Sequence, residues 1–419
     1  MNPARKDMSL SPRARARHAA RPQRLNPQAG RSAEPGSRIG LLYPQRDPRF
    51  PGNWSGTPSG MALGIEASGF EVVPIGVDLP WVAKAAVSLA SRSTGRNGPV
   101  ADRMAIRQAA RTIALSRRMK EVGALDAVIA MGTEMYSLHD VVSADIPCAT
   151  YDDGTLLQMW RNVDSDIRAL NVPQHHLRRW FERQAASSRA ADVCCVSTSW
   201  AAKSFLDDYG IDGRRVHVVG MGHLPRDPVK SAERDWARPR FLFVGVDWRR
   251  KNGEAVLASF REVRRMFPAA SLDLVGQHPY AAEPGVRDHG FLPREDPASQ
   301  TLLASLFESA TCFVLPSRFD PSPIACLEAA SAGLPVIATT EGGADELLGP
   351  AAMAVHPDDS EALTLAMLRL CDSKAAESMG AEARRRASES TWHDVAQRVL
   401  SSLGFPPAST PAAVLAANR

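Results

Sequence analysis

From residue 38 onward, short and nearly continuous apolar runs alternate with longer segments of helical period, and this alternation constrains the fold more than any other feature. A strand apolar on both sides must be covered on both faces, so the pattern specifies parallel sheets sandwiched by helices. Strands are expected at Arg38–Pro44, Phe70–Val77, Asp126–Gly132, Ile146–Asp153, Asp192–Thr198 and Val216–Gly222 in the first half. In the second half they are expected at Phe241–Val246, Leu272–Gly276, Arg287–Phe291, Thr311–Pro316, Val336–Thr339 and Met353–His356. Helical periods fall between most of them, as at Gly253–Phe267, and another follows the last at Glu361–Leu370.

Pro225 to Pro239 is polar, carries three prolines and has no period, which is the composition of a linker. The expected organisation is a basic tail at 1–37, a first α/β domain at 38–224, the linker at 225–239 and a second α/β domain at 240–388. A C-terminal helix at 389–404 and a Pro/Ala-rich tail at 405–419 complete it. Ligands of doubly wound sheets bind outside the carboxyl ends of the strands, so two such domains imply a cleft between them.

The charge is uneven. Residues 1–38 hold nine basic side chains against Asp7 and Glu34, a net of +7, which leaves the rest at −3 of the chain's +4. The tail lacks an apolar segment of the kind a secretory signal has, and its composition is that of a solvated, disordered arm. No run approaches the roughly 18 apolar residues of a membrane span. The six cysteines lie mostly inside apolar runs with no CxxC pair, reading as buried thiols in a reducing, cytoplasmic compartment and not as a disulfide framework or zinc site. No cofactor or metal ligand set is apparent; Asp164-Ser165-Asp166 has the DxD spelling but lies away from any strand end.

Four clusters carry the chemistry. Phe313 to Ile337 reads as a buried strand, a loop with Asp320, then Ser322 as N-cap and Pro323 at the first helical position. The helix would pass through Glu328 and end at Gly333. The free amides of Ile324 and Ala325 would then form an anion site at the helix N-terminus, and a carboxylate at Glu328 suits a pair of sugar hydroxyls. In Phe241 to Gly253, Arg249, Arg250 and Lys251 sit at the start of a helix, against the macrodipole. A local rule broken at a strand's carboxyl end marks a candidate site, and a diphosphate would reconcile it. Gly342-Gly343 follows a buried strand, where absent side chains permit close backbone approach. Asn53 to Gly64 is a glycine-rich loop feeding a helix; it is neither GxGxxG nor a P-loop.

These residues resemble the group 1 family of retaining GT-B glycosyltransferases, whose signature is two carboxylates with seven residues between them on a loop and helix. Asp320 and Glu328 take those places. Arg250-Lys251-Asn252-Gly253 is similar to the family's diphosphate-binding Arg-Lys-Gly element, Gly342-Gly343 with Glu346 to its Gly-Gly-x-x-Glu turn, and Asp288 to Phe291 to its nucleotide-side strand. Ser55-Gly56-Thr57-Pro58 resembles the glycine loop of the acceptor domain. Ser197 to Trp200 with Val216 to Gly222 resembles the close of that domain, and Trp392 the segment crossing back to it. The resemblance implies a GT-B fold of two Rossmann-like domains facing a cleft, the first holding the acceptor and the second the nucleotide sugar. It implies transfer of a hexose from a nucleotide-diphosphate sugar to a glycan, lipid-linked or small-molecule acceptor, with retention, without a metal and in the manner of polysaccharide biosynthesis.

Carried over, Glu328 would hold the ribose, Asp320 would face the transferred sugar, and Arg250 with Lys251 would neutralise the diphosphate. Ile324, Ala325, Gly342, Gly343, Ser55 and Gly56 would complete the donor site. The family's first domain often supplies a histidine near the reacting sugar; it has no clear counterpart here, His139 being the nearest in sequence, while Asp153 in Tyr151-Asp-Asp-Gly-Thr155 occupies a strand end. The chain departs from the pattern at Asp320 (usually Glu), Pro323 (usually Gly) and Val246 (usually Arg). Asp320, Val246 and the missing histidine support the alternative of a catalytically weak sugar-nucleotide-binding paralogue or partner protein. No nucleic-acid motif is present; peripheral membrane contact through the tail or the Trp81–Arg107 region is an expectation.

Overall fold

The computed structural model describes residues 36–79, 100, 103–170, 172–225, 234–278 and 283–406. The basic tail, most of the linker and of the Trp81–Arg107 segment, and the end of the chain lie outside the described residues. The chain divides into two compact units: among the described residues, one takes 36–163, 167–219 and 395–406, the other 164–166 and 220–394.

The first unit is built on β1 (Arg38–Leu42), β2 (Glu71–Ile75), β3 (Ala127–Ala130), β4 (Cys148–Asp152), β5 (Val193–Val196) and β6 (Val216–Val218), in the order β2-β1-β3-β4-β5-β6. Every pairing is parallel. Strands β3, β4 and β5 are buried along their whole length, as sequences such as Ala-Val-Ile-Ala and Val-Cys-Cys-Val require. Four helices carry the argument here: α1 (Thr57–Ala67), α2 (Ala105–Glu121), α3 (Gln174–Ala190) and α4 (Ser199–Asp207). Helix α4 starts at Thr198, whose hydroxyl accepts the Ala201 N–H at 3.1 Å. Trp180 and Phe181 of α3 pack with Phe205, Tyr209 and Cys194 into one apolar cluster.

The second unit repeats the plan with β7 (Arg240–Val244), β8 (Ser271–Val275), β9 (Val286–Asp288), β10 (Cys312–Val314), β11 (Val336–Thr339) and β12 (Ala352–Val355), in the order β12-β11-β10-β7-β8-β9, again all parallel. Its helices include α5 (Gly253–Met266), α6 (Pro297–Ser309), α7 (Ile324–Ser331), α8 (Ala344–Leu348) and α9 (Ser373–Ala387); α10 (Trp392–Ser402) follows. Asp296 caps α6 through the Ser299 N–H at 2.9 Å, with Pro297 in its first turn. Gly222 lies flat against the Trp392 ring, where any Cβ would clash.

Both sheets are doubly wound α/β, and all twelve expected strands are present, mostly trimmed at their ends. The largest trim is at Val216–Gly222, which stops at Val218 because Gly220 turns the chain at φ +91°. All six cysteines are free and buried. No helix among the described residues is long and apolar enough to cross a membrane.

Candidate functional site

Strand β7 pairs with β8 on one side and β10 on the other, so the winding of the second sheet reverses there. At such a switch point the loops leaving adjacent strands part, and their carboxyl ends frame a crevice. The loops after β7, β10 and β11 carry the sequence-predicted residues.

Leaving β7, Gly245 donates its N–H to Val275 at 2.9 Å, and its carbonyl lies against Gly276, where φ is +141° and a side chain would not fit. The next residues form a turn closed by Lys251 N–H to the Asp247 carbonyl at 2.8 Å and Arg250 N–H to the Asp247 carboxylate at 3.0 Å. Asn252, at φ +62°, is the N-cap of α5. The sequence placed Arg249, Arg250 and Lys251 at the helix start; they lie in the turn ahead of it, and the first helical turn holds Glu254 instead. The left-handed Asn252 separates turn from helix; the exposed Arg249 lies 4.0 Å from Asp164, and from this turn Arg250 and Lys251 face the loop after β10.

There Lys251 Nζ forms an ion pair with the Asp320 carboxylate, both side chains largely buried. Arg250 donates to the Phe319 carbonyl at 3.2 Å, and its own carbonyl accepts the Arg318 N–H at 2.7 Å. The two loops are stitched through main chain as well as charge. The third loop fixes Asp320 from behind. Asp320 N–H donates to the Glu341 carbonyl at 3.1 Å, and Gly343 N–H to the Asp320 carbonyl at 3.3 Å. Gly342, at φ +114°, sits so close that a Cβ would strike the Asp320 carbonyl.

Helix α7 begins one residue later than the sequence implied. Pro323 is the N-cap itself, extended at ψ 102°, with no side-chain cap bond, and its carbonyl accepts the Cys326 N–H at 3.0 Å. A ring without an N–H serves at N-cap as readily as at the first helical position, and Ile324 and Ala325 supply the leading amides. The helix ends as expected: Gly333 at φ +76° and the bonds Gly333 N–H to Ala330 and Leu334 N–H to Ala329 form a Schellman cap. Glu328 is 6 % exposed on this helix, and its carboxylate is met by Arg294 at 3.2 Å. Sequence reasoning missed Arg294; the signal was a lone base in the loop after β9.

The structure thus brings together Arg250, Lys251, Asp320, Gly342 and Gly343, with Glu328 further along on α7. Ser55, Gly56 and Asp153 belong to the first unit. There Trp54, Ser55 and Gly56 are left-handed in succession, at φ +37°, +55° and +88°, immediately before α1. Two non-glycine residues held in that region are a strained backbone of the kind found at ligand sites. Trp54 leans on Tyr151 of β4, ring centroids 6.2 Å apart.

Asp153 is half-buried just past β4, while its neighbour Asp152, the strand's last residue, is 5 % exposed. One Asp152 oxygen accepts from Gln184 at 3.3 Å and the other has no hydrogen-bond partner among the described residues. Burial pushes the Asp152 carboxyl well above the usual carboxylate range; Glu134 and Asp153 add to the rise, and the Gln184 bond opposes it. Sequence reasoning chose Asp153 and passed over its neighbour; on a strand buried along its whole length no alternation in the sequence tells the two apart.

Residues 238–373 match the family model described as Glycosyl transferases group 1. The chain carries a group 1 glycosyltransferase domain. That domain spans the whole switch-point site, from β7 through α8. Among curated relatives, the chain is 26 % identical over 54 % of its length to the MMP alpha-(1->4)-mannosyltransferase of Mycolicibacterium hassiacum, covering 57 % of that protein. It is 30 % identical over 51 % of its length to the GDP-mannose-dependent alpha-(1-6)-phosphatidylinositol monomannoside mannosyltransferase of Mycolicibacterium smegmatis, covering 62 % of it. The chain therefore spans little more than half the length of these relatives. Sucrose-phosphate synthase from Thermosynechococcus elongatus superposes with a TM-score of 0.62 at 17 % identity, over 86 % of this chain and 96 % of that one. The fold is GT-B.

Proposed function

We propose that the protein is a retaining glycosyltransferase that takes a hexose from a nucleotide-diphosphate sugar bound by the second unit. The observation that carries this reading is the joining of Lys251, Arg250 and Asp320 at the switch point, one loop away from the leading amides of α7. A diphosphate at that place meets two cations and a helix N-terminus, and both stabilise the charge that grows on the leaving group as the glycosidic bond breaks. Asp320, fixed through its main chain by Glu341 and Gly343, faces the transferred sugar and holds the Lys251 ammonium in place. Glu328 accepts the ribose hydroxyls, with Arg294 keeping its carboxylate oriented.

No step of this scheme calls for a metal or a further cofactor. In the first unit Ser55 and Gly56, in the left-handed run before α1, are assigned to the donor and Asp153 to the reacting sugar. The acceptor is a glycan, a lipid-linked sugar or a small molecule. The buried thiols suit a reducing, cytoplasmic setting.

Thermal-shift and calorimetric titration with UDP-, GDP- and ADP-sugars tests the donor, with GDP-mannose first because a mannosyl donor is named for one of the relatives. Saturation at a hundredfold over Kd raises stability by about 2.7 kcal/mol. The shorter Asp320 favours one second reading, a sugar-nucleotide-binding paralogue with weak catalysis: it predicts the same shift without hydrolysis or transfer. No shift with any nucleotide sugar refutes both.

A further inference from the structure

Every cation named for the donor site has a carboxylate of its own. Arg249 lies 4.0 Å from Asp164, Arg250 3.7 Å from Asp247 and Arg294 3.2 Å from Glu328, and Lys251 is paired with Asp320. Positive and negative charges match one for one, so the site is not an open trap for anions. Its hydrogen bonding is incomplete in two places. Arg250 Nε is buried and has no partner among the described residues. On Asp320, Lys251 and Ser317 both donate to Oδ2, Ser317 at 3.5 Å, and among the described residues nothing donates to Oδ1. The first place calls for an acceptor and the second for a donor.

We propose that Asp320 is a specificity-determining residue that sets the site against a free nucleoside diphosphate and in favour of its sugar ester. This rests on the donor reading above and deepens it. A nucleotide sugar meets both needs: a phosphate oxygen accepts from Arg250, and a sugar hydroxyl donates to Asp320. A free nucleoside diphosphate meets only the first, because its ionised terminal phosphate offers acceptors alone. That phosphate also carries close to one more negative charge at neutral pH, its second ionisation lying near about 6. Asp320 is largely buried, where a second negative charge close by is poorly screened and repelled. Transfer itself produces the mismatch. The acceptor oxygen bonds to the sugar C1, the bond from C1 to the phosphate oxygen breaks with its electron pair left on that oxygen, and the acceptor's proton passes to solvent. The departing sugar takes away the hydroxyl that served Asp320 and leaves the added charge facing the carboxylate. Asp320 thereby favours release of the product and readmission of the donor.

The test is calorimetric titration of the full chain, with EDTA present, using GDP, its β-O-methyl ester and GDP-mannose. UDP, its methyl ester and UDP-glucose follow where the guanosine series does not bind. The methyl ester has the donor's charge without its sugar hydroxyls, so it separates repulsion from hydrogen bonding. The chain is expected to bind GDP about tenfold or more weakly than the methyl ester, and the ester more weakly than GDP-mannose. In Asp320→Asn the first of these differences should close, through tighter binding of GDP, while GDP-mannose binds more weakly than before. A merely structural role for Asp320 would weaken all three ligands together and leave the GDP-to-ester ratio where it was. That result overturns the proposal. So does a parent chain that binds GDP as tightly as the methyl ester, a comparison that needs no variant to fold. Failure of every nucleotide in both series refutes the donor reading and the proposal with it, whereas binding with an unchanged ratio refutes the proposal alone.

Discussion

Lys251 and Asp320, 69 positions apart, meet as an ion pair at the point where the winding of the second sheet reverses. The Lys251 side chain is 13 % exposed and that of Asp320 9 %, so each charge depends on the other for its solvation. Removing one leaves its partner buried and alone, whereas removing both does not. Lys251→Ala and Asp320→Ala are each expected to destabilise the second unit by about 3 kcal/mol, and Lys251→Met/Asp320→Leu by far less. Urea unfolding of the three variants checks this. Equal losses in the singles and the double would mean the pair is only a surface contact.

Glu328 stands apart from that pair and is expected to act on affinity more than on stability. Its carboxylate is nearly buried and engaged by Arg294 at 3.2 Å. Glu328→Ala should weaken nucleotide-sugar binding by about 1.5–3 kcal/mol, the range for a lost charged hydrogen bond. Arg294→Ala should weaken it less, since it frees the carboxylate without removing it. Calorimetry on both variants ranks them, and the reverse ranking would displace the ribose from Glu328.

Much of this was legible in the sequence, and the reason is physical. Apolar runs such as Phe313-Val-Leu and Val336-Ile-Ala-Thr tolerate only a doubly covered strand, so strand positions, and with them the loops that bear Lys251, Asp320 and Gly342, follow from composition alone. Gly333 could be placed because only glycine takes φ +76° at a helix end without strain. What the sequence hid were relationships set by register and by single dihedrals. That Arg249 to Lys251 precede the helix depends on Asn252 adopting φ +62°, which nothing in Lys-Asn-Gly demands. That Arg294 reaches Glu328, and that Asp152 and not Asp153 turns inward, depends on tertiary packing over 34 and 32 positions.

Gly342 gives a prediction with a built-in control. Its φ of +114° and the Asp320 carbonyl against its Cα both forbid a side chain, whereas Gly290, at φ +64°, has open space around it. Gly290→Ala should cost about 1 kcal/mol, the usual penalty for a left-handed alanine. Gly342→Ala should cost clearly more and shift Asp320, weakening nucleotide-sugar binding along with stability. Thermal melts with and without ligand separate the two effects. Similar behaviour of both variants would show that the close approach at Asp320 has no functional weight.

Asp152 provides the pH dependence. Its carboxyl is raised well above the ordinary range, first by burial and then by Glu134 and Asp153. A carboxyl raised in the folded state binds its proton more tightly there than in the unfolded chain, where it titrates near about 3.9. Its contribution is therefore fully present below that value and is lost as pH rises through the folded pKa. Asp152→Asn removes the titration while keeping the shape and the Gln184 contact. The variant should gain stability relative to the parent as pH climbs from about 4 toward 8, and the two should run parallel above the folded pKa. Melting curves of both proteins across that interval measure the difference directly. A parent that instead gains on the variant with rising pH would place an ionised, stabilising carboxylate at the end of β4, with a cation beside it in place of Glu134.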